Sequence, residues 1–204
     1  MGKWDRDPYA PTVYGVGYHG VGIYAPSNNG VHTQASRMWK GMLNRCYNIK
    51  YLEKKPTYKG CEACPEWHNF QNFAKWHEDN YYEIEGQEMH LDKDILTKGN
   101  RIYSPETCVF VPEAINSLLT KRQSCRGDLP IGVHFCSKGK KYIAQCGVSG
   151  QRTYLGRFDS PMEAFNTYKA FKEKEIKRVA DLYKDRIPYK LYLALYNYTV
   201  EITD

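Results

Sequence analysis

The strongest constraint on the fold is a helix start that follows three strand-like runs. Ser160-Pro161-Met162-Glu163 combines an N-cap hydroxyl, a proline at the first helical position and a glutamate placed to reach back to the cap. Ala164, Phe165, Tyr168, Phe171, Ile176, Val179 and Tyr183 then recur at roughly helical spacing, with Lys and Glu on the opposite face. The runs Ile131-Gly-Val-His-Phe135, Tyr142-Ile-Ala-Gln-Cys-Gly-Val148 and Arg152-Thr-Tyr-Leu-Gly-Arg-Phe158 precede the helix. Their short, glycine-bearing connections signal hairpins. The expected unit is a three-stranded antiparallel sheet packed on a long helix, within an α+β chain.

Alternation assigns the faces of that sheet. Val133, Phe135, Tyr142, Ala144, Cys146 and Leu155 are expected to face the helix. His134, Gln145, Arg152 and Tyr154 then face away from it, beside Lys138, Lys140 and Lys141. A polar, basic and aromatic sheet face has the composition needed in a DNA major groove, where Arg and Gln read base edges. A solvated outer face on a small α+β unit is the plainer alternative.

The segments Ile131-Gly-Val-His, Lys141-Tyr-Ile-Ala-Gln, Tyr154-Leu-Gly-Arg-Phe-Asp and Met162-Glu-Ala-Phe-Asn-Thr-Tyr resemble the Apetala-type DNA-binding domain, the fold of plant ethylene-response factors. That domain also occurs in phage and mobile-element endonucleases. The resemblance covers about a quarter of the chain. It implies a sheet inserted in the major groove of double-stranded DNA, with His134, Gln145, Arg152 and Tyr154 at the matching positions. Ile131, Cys136 and Gly147 stand where plant members usually carry arginines, so base preference does not carry over.

Charge and composition agree with a polyanion partner without requiring one. The formal charge is +6, and the 18 tyrosines suit half-wet surfaces, including one that takes a protein partner. No apolar run approaches the roughly 20 residues of a membrane span. Met1-Gly-Lys-Trp-Asp-Arg-Asp lacks the apolar core of a signal peptide. The expected location is cytoplasmic, in a bacterial host if the chain is phage-encoded. In that setting seven cysteines favour metal ligation or free thiols over disulfides.

Residues 1–33 are rich in Gly, Pro and Tyr and read as an arm, either following a groove or packed on the body. Residues 35–47 read as a helix with Met38, Trp39, Met42, Leu43 and Cys46 on one stripe, and 48–60 as a basic connection. Cys61-Glu-Ala-Cys64 precedes a second expected helix at 65–77. CxxC at a helix start is half of a zinc-knuckle-type site, and Cys46 and Cys108 are the preferred further ligands for a structural zinc. His68, His77, or no metal at all are the alternatives. Such a metal contributes on the order of 10 kcal/mol to folding.

His90-Leu-Asp-Lys-Asp-Ile-Leu96 and residues 98–116 read as strand, turn at Gly99-Asn100, strand and helix. The stretch resembles the His-Asn-His (HNH) motif of homing endonucleases, a ββα-metal unit that in phage proteins is followed by an Apetala-type domain. The resemblance implies metal-assisted phosphodiester cleavage using Mg²⁺ or Mn²⁺. Asp92 holds the family's Asp place and Asn116 its terminal place. Lys93 stands where the catalytic His would be, with Asp94 beside it, and Thr107 stands near the middle Asn. A lysine with a reference pKa of about 10.4 is almost wholly charged at neutral pH, so Lys93 suits clamping a phosphate rather than activating water. His90 is the nearby substitute base.

The expected organisation is an arm at 1–33, an HNH-like module with a Cys zinc site at 34–120, a linker at 121–128, and an Apetala-type domain at 129–204 with a last short helix at 188–198. The expected function is sequence-directed binding of double-stranded DNA by a phage HNH-like endonuclease, with metal-dependent cleavage where the site is active. A DNA-binding regulator that has lost cleavage and a protein-binding inhibitor of host machinery remain as alternatives.

Overall fold

The computed structural model describes residues 7–120, 127–148, 150–202 and 204. The expected linker lies largely outside the described residues. The chain is α+β and divides into two compact units. One comprises residues up to Glu83 and Leu91–Phe110; the other comprises Ile84–His90 and Val111–Asp204. The boundary therefore falls inside the expected 34–120 module.

In the first unit, a hairpin of β1 (Ser27–Asn28) and β2 (Val31–His32) leads into helix α1 (Gln34–Tyr47). Thr33 caps α1 by accepting from the Ser36 amide. Asn48 then ends α1 and caps a short helix α2 (Ile49–Lys54), where only a connection was expected. Strand β3 (Glu62–Ala63) lies between the two cysteines of CxxC. The expected second helix is broken into a 3₁₀ turn at Pro65–His68 and helix α3 (Phe70–Asn80). Asn69 makes the break: its backbone is extended and its side chain accepts from the Gln71 amide, as an N-cap does. CxxC thus sits around a strand rather than at the start of an α-helix.

Trp39, Met42, Leu43, Trp67, Phe70 and Phe73 form the buried heart of this unit, each at most 1 % exposed. The Trp39 indole N–H donates to the Trp67 carbonyl at 2.7 Å, so its polar end is satisfied inside the core. The Gly- and Tyr-rich arm packs on this body. Gln71 clips it, donating to the His19 and Tyr24 carbonyls and accepting from the Tyr24 amide.

Strand β4 (Met89–Asp92) pairs with β6 (Val109–Pro112), and the boundary between the units passes through both. Strand β5 (Ile102–Tyr103) does not join them; it pairs with β3 in parallel. Helix α4 (Glu113–Leu119) follows β6 directly.

The rest of the second unit is the expected sheet and helix. Strands β7 (Val133–Cys136), β8 (Lys141–Val148) and β9 (Gln151–Phe158) form an antiparallel sheet in that order, and helix α5 (Pro161–Tyr183) packs on it. Ser160 accepts from the Glu163 amide, as its capping position requires. Val133, Ala144, Cys146, Ala164, Phe165 and Tyr168 form the core between the two layers, with Leu155, Phe158 and Phe171 at its margin. Gly132 lets the chain pass the Tyr168 ring. Its φ is +76°, and a Cβ there would lie 2.1 Å from a ring carbon. Helix α6 (Tyr189–Tyr196) packs on α5 through a face containing the fully buried Leu191 and Leu195. The chain after it is tied to α5, since the Val200 amide donates to Glu173 and Lys169 donates to the Val200 carbonyl. No helix among the described residues is long and apolar enough to cross a membrane.

Candidate nucleic-acid interface

The outward face of the β7–β8–β9 sheet is built by register. On one side of the sheet, Val133 pairs with Ala144 and Ala144 with Gly156, and these lie over the core. The alternate positions point away: His134 opposite Ile143 opposite Arg157, Gln145 opposite Tyr154, and Gly147 opposite Arg152. His134, Arg152, Tyr154 and Arg157 are exposed and Gln145 is half-buried. All four outward residues expected in the strands therefore share one face.

Arg157 joins them, although strict alternation from Arg152 and Tyr154 puts it on the helix side. A β-bulge accounts for this. The register shifts between Ala144 and Gln145, leaving Leu155 without an opposite residue. Tyr154 then points out, Leu155 and Gly156 both turn toward the core side, and Arg157 points out again. Gly156 has φ +142°, a conformation L side chains rarely adopt. A glycine inside a strand was the available signal for the bulge.

Phe135 departs from expectation. It has the helix-side parity but is 50 % exposed and rests on Tyr142, with ring centroids 5.3 Å apart. It lies next to the hairpin tip rather than within the core cluster.

The basic loop continues the outward face. Lys138 and Lys140 are exposed in the turn after β7, and Lys140 has φ +48°. Lys141 begins β8 and is ion-paired with Asp159 just past β9, so its charge is partly offset. Behind the sheet, burial pushes the Cys146 thiol up and the Lys172 ammonium down. Neither belongs to the outward face.

The residues carried over from the HNH resemblance divide between the two units. In the second unit, His90 Nε2 lies 2.5 Å from Glu113 Oε2 without the alignment of a hydrogen bond. Asn116 lies on α4, where its carbonyl accepts from the Thr120 hydroxyl. In the first unit, Asp92 Oδ1 accepts from the amides of Asp94 and Ile95 at 2.8 and 2.7 Å. That geometry is a turn cap. Burial and the neighbouring Asp94 charge both raise the Asp92 pKa. Lys93 is only 8 % exposed and its ammonium contacts Asp94 at 3.2 Å. Asn100 closes the following turn, donating to the Lys93 and Ile102 carbonyls at 2.7 Å each. Thr107 donates to the Ile102 carbonyl.

Neither metal suits this arrangement. Among the described residues, no three His, Cys, Asp or Glu side chains converge as a ligand set. Burial pushes the thiols of Cys46 and Cys108 up to about 12 and that of Cys64 up to about 11. Cys61 is also buried, and all four remain free thiols. The donors so placed do not fit a four-cysteine zinc. Two backbone amides take Asp92 Oδ1, and among the described residues no further His, Asp or Glu pair converges on this carboxylate to hold Mg²⁺ or Mn²⁺.

Compared with protein-family models, curated proteins and solved structures, the chain matches none.

Proposed function

We propose that this protein binds double-stranded DNA through the outward face of the β7–β8–β9 sheet, without cleaving it. The observation that carries this reading is the register. It gathers His134, Gln145, Arg152, Tyr154 and Arg157 on one face, with Lys138 and Lys140 at its edge. A three-stranded sheet of this width can enter the major groove. Arg152 and Arg157 have the forked donors that pair with guanine or with phosphate, and Gln145 has the donor and acceptor that pair with adenine. Lys138 and Lys140 supply phosphate contacts that set orientation without reading sequence.

The resemblance to the Apetala-type domain supports the same groove and the same face. The chain order β4, β6, α4 supports a second element of the proposal, an HNH-like ββα framework retained for structure. Its chemistry is the part we take to be lost, because Asp92 caps a turn and Lys93 replaces the general base. This favours a DNA-binding regulator over an endonuclease.

The test is fluorescence anisotropy of labelled duplex DNA with the wild type, Arg152→Ala and Arg157→Ala, alongside plasmid nicking with Mg²⁺ or Mn²⁺. Binding that both substitutions weaken, with the plasmid left intact, is the expected result. Metal-dependent nicking that Asp92→Ala abolishes would restore the endonuclease reading. Binding indifferent to both arginines would remove the sheet as the reader.

A further inference from the structure

Strand β8 carries a glycine that the fold itself does not need. Gly147 pairs with Arg152, next to the pair of Val148 and Gln151 that closes the hairpin. The pairing is regular on both sides of it, and the β-bulge falls earlier, between Ala144 and Gln145. Its φ lies outside the positive region that Gly132 and Gly156 occupy. An added Cβ would meet no atom of the described residues within 4 Å. Glycine inside a strand costs stability, because it has more backbone freedom to lose and no side chain to pack. A bulge, a tight bend or the close approach of another group is the usual reason for one. Regular pairing removes the first two, and nothing within the described fold supplies the third.

The open space stands over the outward face of the sheet. Along β8 the outward positions open progressively: Ile143 is 7 % exposed, Gln145 is half-buried and Gly147 is exposed. Gln145 stands opposite Tyr154, and Gly147 and Arg152 form the next outward pair. Three corners of this rectangle carry side chains and the fourth carries none. Opposite Cα atoms are about 5 Å apart, and outward neighbours along a strand about 7 Å. The edge of a base, about 3.4 Å thick, fits an opening of that size.

We propose that Gly147 is the floor of a base-reading recess, in which a major-groove base edge lies against the β8 backbone and Gln145 pairs with adenine. This assignment rests on the sheet face binding duplex DNA, and it gives that face a ligand class: duplexes with adenine in the contacted stretch of major groove. The Gln145 amide offers a donor and an acceptor in one plane, which match adenine N7 and its amino group. Tyr154, 56 % exposed, is the wall across from it. Arg152 reaches an adjacent guanine or phosphate. A side chain at position 147 would hold the base edge away from both.

Gly147→Ala and Gly147→Val test this in the full chain. Valine suits a strand better than glycine, so Tm should hold or rise. The probe is the duplex that the wild type selects from a random-sequence pool. Anisotropy should show weaker binding in Gly147→Ala and a loss of about tenfold or more in Gly147→Val, as when one base contact goes. The selected duplex should hold adenine at a fixed position. Exchanging that adenine for deazaadenine, which has carbon in place of the N7 acceptor, should cost the wild type about 5- to 100-fold and Gln145→Ala little. Binding that Arg152→Ala weakens but Gly147→Val does not would overturn the recess and leave the sheet face as the reader. No duplex binding, or binding indifferent to Arg152→Ala and Arg157→Ala, would overturn both. A fall in Tm for Gly147→Val would overturn the recess by showing that the fold needs the glycine. No fixed adenine, or indifference to deazaadenine, would overturn the adenine assignment.

Discussion

Gln145 and Tyr154 stand opposite each other immediately after the β-bulge that leaves Leu155 unmatched. This pair fixes the register from which Gly147 and Arg152 follow on one side and Arg157 on the other. Without the bulge, Arg157 would point into the core and Phe158 out of it. The bulge thus brings Arg157 to the same face as Arg152.

Arg152→Ala and Arg157→Ala are each expected to weaken duplex binding by about 5- to 100-fold, the range of one arginine contact to base or phosphate. Anisotropy titration measures this, and unchanged far-UV circular dichroism shows that the sheet persists. An effect at Arg152 with none at Arg157 would mean that the bulge does not bring the second arginine into the interface.

Gly156→Ala puts a Cβ at φ +142° and 3.0 Å from the Phe158 ring. The expected cost is about 1–3 kcal/mol, the range for a residue held in a forbidden backbone region. Urea unfolding reads it. The same variant should also bind DNA less well, because relieving the strain moves Arg157. Full stability with full binding would show that the strand tolerates an ordinary residue there.

The fold predicts a second intolerant glycine. At Gly132 the added Cβ would meet the Tyr168 ring at 2.1 Å, and φ is already +76°. Gly132→Ala should lower stability by about 2 kcal/mol or more. Adding Tyr168→Ala removes the clash but leaves the backbone strain and opens a cavity. The double variant should therefore fall short of the summed losses, a coupling that a double-mutant cycle measures.

Much of the second unit was legible in the sequence, because its signals are local. The Ser160 cap, the apolar period along α5 and the glycine-bearing hairpins each lie within a few residues of what they specify. Asn69 was equally local but easily overlooked, since Phe70, Phe73 and Trp76 read smoothly onward from Trp67. Two features had no local signal. Strand β3 finds its partner β5 about forty residues away, as the Glu62–Ile102 and Ala63–Tyr103 pairing shows, and two-residue strands carry no alternation. The candidate site suffered from the same limit. Period-two counting cannot see past Leu155, so it puts Arg157 on the wrong side of the sheet.

Stability should fall in mild acid through His77. Its ring is 9 % exposed, stacked on Tyr81 at 4.7 Å, and its Nε2 has no hydrogen-bond partner among the described residues. Burial holds its pKa below the usual histidine value. The unfolded chain therefore binds the proton first, so stability is lost as pH drops below about 6.5 and toward the lower folded value. His19 acts in the same direction, through burial and then through Lys40 and His32. His77→Phe should flatten the slope of Tm against pH between about 7.5 and 5.5. An unchanged slope would place the acid sensitivity elsewhere.

The cysteines give a direct check on metal content. Zinc measured after exhaustive buffer exchange should come out far below one equivalent, and a chelator should leave Tm unchanged. One tightly held equivalent, lost together with stability on chelation, would mean that Cys46, Cys61, Cys64 and Cys108 rearrange around a metal.

The most direct test of the central claim is duplex DNA affinity across salt, with the wild type and the Arg152→Ala, Arg157→Ala double variant in parallel. If Arg152, Arg157, Lys138 and Lys140 each neutralise one phosphate, affinity should fall about a hundredfold between 50 and 200 mM salt, and the double variant should show a shallower slope. Affinity that is absent at low salt, or that has the same salt slope in both proteins, would contradict DNA binding through the β7–β8–β9 face.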